Sequence, residues 1–178
     1  QTLFDISNAV NTTPKLKDLY RSIHGSLSNV MDLTNFFIAI VDVKEHTMHF
    51  PYHVDTADDD YSPITDFDPN KSLTGLVASM RKPVLLNRKQ LEKRAEENGV
   101  WGELPQIWMG VPLIIKKEVI GVIAGQSYVD PNLYKKQDLK ILSKVSDQIA
   151  IAIDHKRTED ALHENEKKYR RLFKNAPA

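Results

Sequence analysis

The stretch Trp108-Met-Gly-Val-Pro-Leu-Ile-Ile-Lys-Lys-Glu-Val-Ile-Gly-Val-Ile-Ala-Gly125 constrains the fold more than any other part of the chain. Two apolar runs flank the short polar break Lys116-Lys117-Glu118, the pattern of a β-hairpin. Both strands are apolar on both faces. Such a hairpin must be covered on each side, which places it centrally in a layered domain. With 178 residues there is enough chain for one domain with a sizeable core and extensions.

The flanking elements follow from periodicity. Leu3, Ile6 and Val10 share one helical face, and Leu16, Leu19, Ile23, Leu27 and Val30 share another. Thr13 before Pro14 suits an N-cap followed by the first helical position. Phe36 to Val43 is an apolar run of strand length. Lys44-Glu45-His46 turns it into a second strand, where Met48, Phe50, Tyr52 and Val54 alternate with Thr47, His49, Pro51 and His53. Pro51 has no ladder donor, so this strand belongs at a sheet edge.

Residues 55–71 form a long acidic loop. A short helix follows, with Leu73, Leu76, Val77 and Met80 on one face and Ser72 as cap; Lys82-Pro83 ends it. Val84-Leu85-Leu86 is a short strand, and Gln90 to Asn98 an exposed helix stopped by Gly99. From Lys135 the chain is helical for most of its remaining length. Leu142, Val145, Ile149 and Ala152 space as packing on the domain. Thr158, Leu162, Asn165, Tyr169 and Leu172 form a second seam out of phase with the first, of coiled-coil type. The order implies an α/β (α+β) sandwich: an antiparallel sheet of five or six strands, helices on both faces and a long C-terminal helix.

Composition excludes several function classes. Lys+Arg and Asp+Glu balance at 24 each, so no net charge draws the chain to nucleic acid or an anionic membrane. The absence of cysteine excludes disulfides, thiol catalysis and zinc–thiolate sites. No apolar run approaches the roughly 20 residues of a membrane span. No secretion signal opens the chain, so a cytoplasmic location is expected. There is no Gly-x-Gly-x-x-Gly, P-loop or Gly-x-Ser-x-Gly motif. Asp66-Phe-Asp-Pro-Asn-Lys-Ser72 has oxygen ligands at alternate positions, but Lys71 stands where a calcium loop needs Gly and Val77 where it needs Glu. A solvated acidic loop is the expectation. His49 and His53 fall on one face of the second strand on strict alternation, a spacing open to a metal or haem, but no partner motif accompanies them. No catalytic residue and no metal site is predicted.

The hairpin supplies the candidate pocket. With the turn at 116–118, Trp108 pairs near Gln126, Gly110 near Ala124 and Pro112 near Val122, all on one face. Met109, Val111, Leu113 and Ile123 occupy the other face and suit helix packing. The first face is small in the middle, leaving room for a ligand between a stacking wall (Trp108) and a two-way hydrogen-bonding amide (Gln126). Asp66, Asn87, Trp101 and Tyr128 are expected at its rim. The competing reading fills that space with a helix and makes Trp108 plain core.

Three segments together resemble GAF domains, the small-molecule and light-sensing modules of signalling proteins. They are Leu73-Thr-Gly-Leu-Val-Ala-Ser-Met-Arg-Lys-Pro-Val84, the hairpin from Met109 to Val122, and Asp138-Leu-Lys-Ile-Leu to Gln148-Ile-Ala-Ile-Ala-Ile153. The resemblance covers residues 1–155. Residues 166–177, Glu-Lys-Lys-Tyr-Arg-Arg-Leu-Phe-Lys-Asn-Ala-Pro, resemble the opening helix of a PAS domain. Residues 156–178 are then a signalling-helix linker and the start of that domain. This implies a place in a multidomain bacterial sensor, such as a histidine kinase of a two-component system or a diguanylate cyclase. It also implies a homodimer through the terminal helices and an unidentified small-molecule ligand, with no cofactor, nucleic acid or membrane contact. The family's cyclic-nucleotide signature is not reproduced, since no Phe-x3-Asp-Glu follows Asn70-Lys71. Its cysteine-dependent bilin and methionine-sulfoxide reductase branches lack their cysteines here. A non-enzymatic sensor is the expected function, and a ligand-free dimerising spacer is the alternative.

Overall fold

The computed structural model describes residues 15–99 and 102–176. The first predicted helix, Thr13, Pro14 and Trp101 lie outside the described residues. Nine elements follow in chain order: α1 (Leu16–Ser28), β1 (Asn35–Asp42), β2 (Thr47–Val54), α2 (Leu73–Met80), β3 (Val84–Asn87), α3 (Arg88–Asn98), β4 (Ile107–Ile115), β5 (Glu118–Ser127) and α4 (Lys136–Lys174). The strands form one five-stranded antiparallel sheet in the order β2-β1-β5-β4-β3. The apolar hairpin β4–β5 is thus interior, and β2 with its Pro51 is an edge.

Alternation sorts the central strands into two cores. Phe36, Ile38, Met109, Val111, Leu113 and Ile123 pack against α1 (Leu19, Ile23, Leu27) and the first half of α4 (Leu142, Val145, Ile149, Ile153). Phe37, Ala39, Val41, Trp108, Val122 and Ala124 form the second core with Met48, Phe67, Val77 and Leu91. The hairpin register is Trp108↔Gln126, Gly110↔Ala124 and Pro112↔Val122, as the turn position predicts. The turn itself is tighter than the polar break suggests. Glu118 already pairs with Ile115, so only Lys116 (φ 48°) and Lys117 (φ 67°) make the loop. Both adopt the left-handed backbone that a two-residue hairpin requires, usually met by Asn-Gly. The guanidinium of Arg81, itself left-handed at the end of α2, donates to the carbonyl of Lys117 and ties this turn to the helix.

Local departures from regularity matter more for the site. The β1–β2 register runs Phe37↔His53 and Ile38↔Tyr52, then slips to Ile40↔His49. One extra residue in β2, at Pro51, makes a bulge that reverses the side-chain alternation. His53 therefore lies on the face of Phe37, and His49 on the face of Ile40. The expectation that the two histidines share one face fails because it assumed an unbroken period of two. His53 stacks on Tyr61 at 4.2 Å between ring centroids. His49 faces the helix side, where burial and the nearby Arg157 guanidinium lower its pKa.

Two helix expectations also change, for α1 and α2. α1 starts at Leu16 with Lys15 as its extended flanking residue, and Val30 lies beyond its end at 46% exposure. α2 is capped by Ser72, whose hydroxyl oxygen accepts from the Gly75 N–H at 3.0 Å. It buries Thr74, Gly75, Val77 and Ala78, while Met80 is exposed. At Gly75 a Cβ would stand 2.8 Å from the Phe67 ring, so the absent side chain lets that ring lie against the helix. α4 is one uninterrupted 39-residue helix. Its predicted second seam is bare: Leu162, Tyr169 and Leu172 are each about two-thirds exposed. Among the described residues no helix is long and apolar enough to cross a membrane.

Candidate functional site

The acidic loop between β2 and α2 arches over the open end of the second core. Its aspartates are mostly occupied in shaping it. Asp55 Oδ1 accepts the N–H groups of Ala57 and Asp58, Asp58 accepts that of Asp60, and Asp60 accepts both the N–H and the hydroxyl of Ser62. These are successive Asx turns, which give a loop its own hydrogen bonds where no ladder is available. Two anchors hold it down. Thr56 donates from both its N–H and hydroxyl to Asn35 on β1. Met48 and Ile64 exchange backbone hydrogen bonds at 2.9 and 2.8 Å, so the loop also shields the free edge of β2.

Beneath the arch is a cavity of about 790 Å3, within the usual range for small-molecule sites. Phe37, Phe50 and Tyr61 form one wall, their centroids 5.3–5.6 Å apart. Trp108 and the start of α2 (Leu73, Thr74) continue it, and Gln126 and Tyr128 close the end of β5. Asp58, Asp60 and Glu103 stand on the same lining.

At the β5 end one carboxylate gathers the polar groups. Asp55 Oδ2 accepts from the Tyr61 hydroxyl at 2.7 Å, from Gln126 Nε2 at 2.6 Å and from the Tyr128 hydroxyl at 3.0 Å. Gln126 also donates to the Tyr128 oxygen at 2.8 Å. Burial pushes the Asp55 pKa up, but the hydrogen bonds from Tyr61, Ala57, Asp58 and Gln126 outweigh it and hold the carboxyl below its usual value. Burial and the Asp55 charge push both tyrosines well above the ordinary phenol value. Asp55 is therefore an anion held by neutral donors.

The expected site residues divide. Trp108, Gln126 and Tyr128 line the cavity. Gly110 and Ala124 do not: they lie in the core beneath it. A Cβ on Gly110 would collide with the Trp108 indole, 2.8 Å from Cζ3, so the notch in the sheet is filled by the chain's own tryptophan. The free space lies one layer out, between that ring and the loop. Asn87 caps α3, accepting from the Gln90 N–H while Gln90 reaches back to the Asn87 N–H, both at 3.0 Å. It is away from the cavity, as is Asp66, an exposed residue with a left-handed backbone (φ 58°). Trp101 lies outside the described residues. Sequence reasoning missed Asp55, Tyr61, Phe37, Phe50 and Thr74. An Asp and a Tyr flanking a Gly-free acidic stretch directly after an edge strand were the available signal. Among the described residues no group of three or more acidic or histidine side chains gathers as a metal site.

The GAF domain family model matches residues 14–154. This chain belongs to the GAF domain family. Solved structures agree on the fold. The GAF domain of a phosphoenolpyruvate-protein phosphotransferase (ptsP) from Coxiella burnetii is 18% identical, with a TM-score of 0.69 over 90% of this chain and 95% of that one. Residues 122 to 287 of a methyl-accepting chemotaxis protein are 16% identical, with a TM-score of 0.68 over 88% and 99%. Free methionine-R-sulfoxide reductase from Neisseria meningitidis, solved in complex with its substrate, is 14% identical, with a TM-score of 0.67 over 89% of each chain. No curated protein sequence matches the chain. GAF folds thus serve both regulatory and enzymatic proteins.

Proposed function

We propose that this GAF domain is a non-catalytic sensor that binds a small molecule beneath the acidic loop and relays occupancy through α4. The cavity carries the reading. An aromatic wall, a self-supporting roof and a buried hydrogen-bonding cluster enclose a volume suited to a metabolite. A volume packed with side chains would favour the ligand-free spacer instead. An enzymatic role finds little support: no cysteine is present, and the carboxylate at the hub of the site's hydrogen bonds, Asp55, already accepts five of them.

The relay is a population shift. Ligand contact with the loop changes the set of Asp55 to Gln126 on β5, and β5 lies on the sheet that α4 packs against. The exposed seam of α4 (Leu162, Tyr169, Leu172) is the face through which two copies pair, and residues 156–178 lead on to a PAS and output module such as a histidine kinase or diguanylate cyclase. The absence of native cysteine makes the test direct. Native mass spectrometry of the purified chain is expected to show a dimer retaining a small molecule. A spin label at Asn165→Cys is expected to report different inter-copy distances in the retained and stripped forms. Identical distances in the two forms overturn the relay, and a monomer with no retained molecule overturns the sensor.

A further inference from the structure

The cavity's lining restricts what it can hold. Among the described residues the charged side chains on it are Asp58, Asp60 and Glu103, and no lysine, arginine or histidine lines it. Asp55 adds a fourth carboxylate behind Gln126 and Tyr61, an anion stabilised by neutral hydrogen-bond donors. Asp60 and Glu103 are exposed and Asp58 half-buried, so this arrangement acts at the cavity mouth, where it repels anions and favours a positive charge in a salt-dependent way.

The hydrogen-bonding groups point the same way by a separate argument. Asp55 fixes the Gln126 amide with Nε2 toward the carboxylate. Its Oε1 then has no partner among the described residues. Gln126 is only 7% exposed. Yet the one unpartnered side-chain atom sealed from solvent among the described residues is Arg94 Nε, so Oε1 retains access to the cavity that Gln126 lines. The Thr74 hydroxyl, on a residue 5% exposed, is likewise unpartnered among the described residues and stands on the same lining. An accessible carbonyl oxygen without a protein donor accepts a hydrogen bond from whatever enters, N–H or O–H alike, so it favours a donor-bearing ligand, and the carboxylates select a charged one. The third feature is the ring cluster of Phe37, Phe50 and Tyr61, which offers apolar area and negative ring faces.

Resting on the sensory reading above, we propose that the ligand is a protonated amine carried on an apolar body. The ammonium lodges between the Gln126 carbonyl oxygen and the rim carboxylates of Asp58, Asp60 and Glu103. The body lies against the aromatic wall, and the Trp108 indole N–H, also unpartnered among the described residues, is available to a neutral oxygen on it.

Calorimetric titration with three probes of one shape tests this at low ionic strength: phenethylamine, phenethyl alcohol and 3-phenylpropanoate. Phenethylamine is expected to bind about tenfold tighter than the alcohol, and the carboxylate weakest. The preference is expected to shrink at 0.5 M salt, where the Debye length falls to about 4 Å. In the double variant Asp58→Asn, Glu103→Gln the amine is expected to lose most of its advantage while alcohol binding stays unchanged. Equal or tighter binding of the alcohol or the carboxylate overturns the amine assignment and leaves a ligand cavity standing. No binding by any of the three at millimolar concentration overturns both.

Discussion

On one face of the central hairpin, Met109, Val111, Leu113 and Ile123 are fully buried against α1 and α4. On the other face, one residue away along the same strands, Trp108 and Gln126 border open space. The strands are equally apolar on both sides, so the difference comes from the cover. Helices present side chains at a regular repeat and can interdigitate with a pleated sheet until no void remains. The loop from Asp55 to Ser72 supplies many of its own backbone hydrogen bonds through its aspartates and is fastened to the sheet at points such as Asn35 and Met48, so between those anchors it can arch over the sheet without leaving polar groups unpaired. A site arises where the cover spans between anchors and is not packed along its length.

The largest expected effect breaks the packed face. Met109→Ala removes a fully buried side chain from the helix-covered core and is expected to cost about 2–5 kcal/mol in urea unfolding. A cost near that of a surface change would show that this face is not filled. Gly110→Ala probes the boundary between core and cavity. The added methyl meets the Trp108 ring, and overpacking of this kind costs about 1–3 kcal/mol. In a Trp101→Phe background the displaced indole is expected to shift its emission to the red. Unchanged emission would mean that the ring does not lie over Gly110.

Tyr61→Phe tests the cavity side, with an expected loss of about 1 kcal/mol at neutral pH. The pH dependence has a definite sign. The Asp55 pKa is lower in the folded state than its ordinary value, so its contribution is complete above the unfolded carboxylate pKa of about 4 and disappears as pH falls through the folded value. The wild-type chain is therefore expected to lose more stability between about pH 5 and pH 2 than the variant, with the two unfolding curves converging in acid. Parallel curves would separate Tyr61 from Asp55. The smallest effect belongs to Leu172→Ser on the bare stretch of α4, 68% exposed. It is expected to change unfolding by less than about 0.5 kcal/mol and to be felt only in the dimer fraction measured by sedimentation.

The sheet was legible because its determinants are local. A polar break between two apolar runs sets the hairpin register, and register sets the faces. The cavity was legible only in part. The residue-size pattern at Gly110 and Ala124 marks where the backbone is bare, but a neighbour on the same face, two positions before Gly110, bends over it. The hub at Asp55 joins Gln126 and Tyr128 across 71 and 73 positions, a proximity that no periodicity encodes. His49 and His53 changed faces through a single extra residue at Pro51, which strict alternation has no means to anticipate. Asn87 did carry a readable signal: an Asn three residues before a Gln is the capping-box spacing, and it marks a helix start, not a pocket rim.

The length of α4 has a mechanical consequence. Its last fully covered residue is Lys156, and from Arg157 to Lys174 it continues unbroken and largely without contact. At 1.5 Å per residue that is a rod of roughly 27 Å. Tilting its packed base by only about 5° sweeps the free tip through about 2 Å, on the scale of the helix shifts that switch subunit interfaces. The domain can therefore stay almost rigid at its core and still deliver a displacement large enough to be read at the far end.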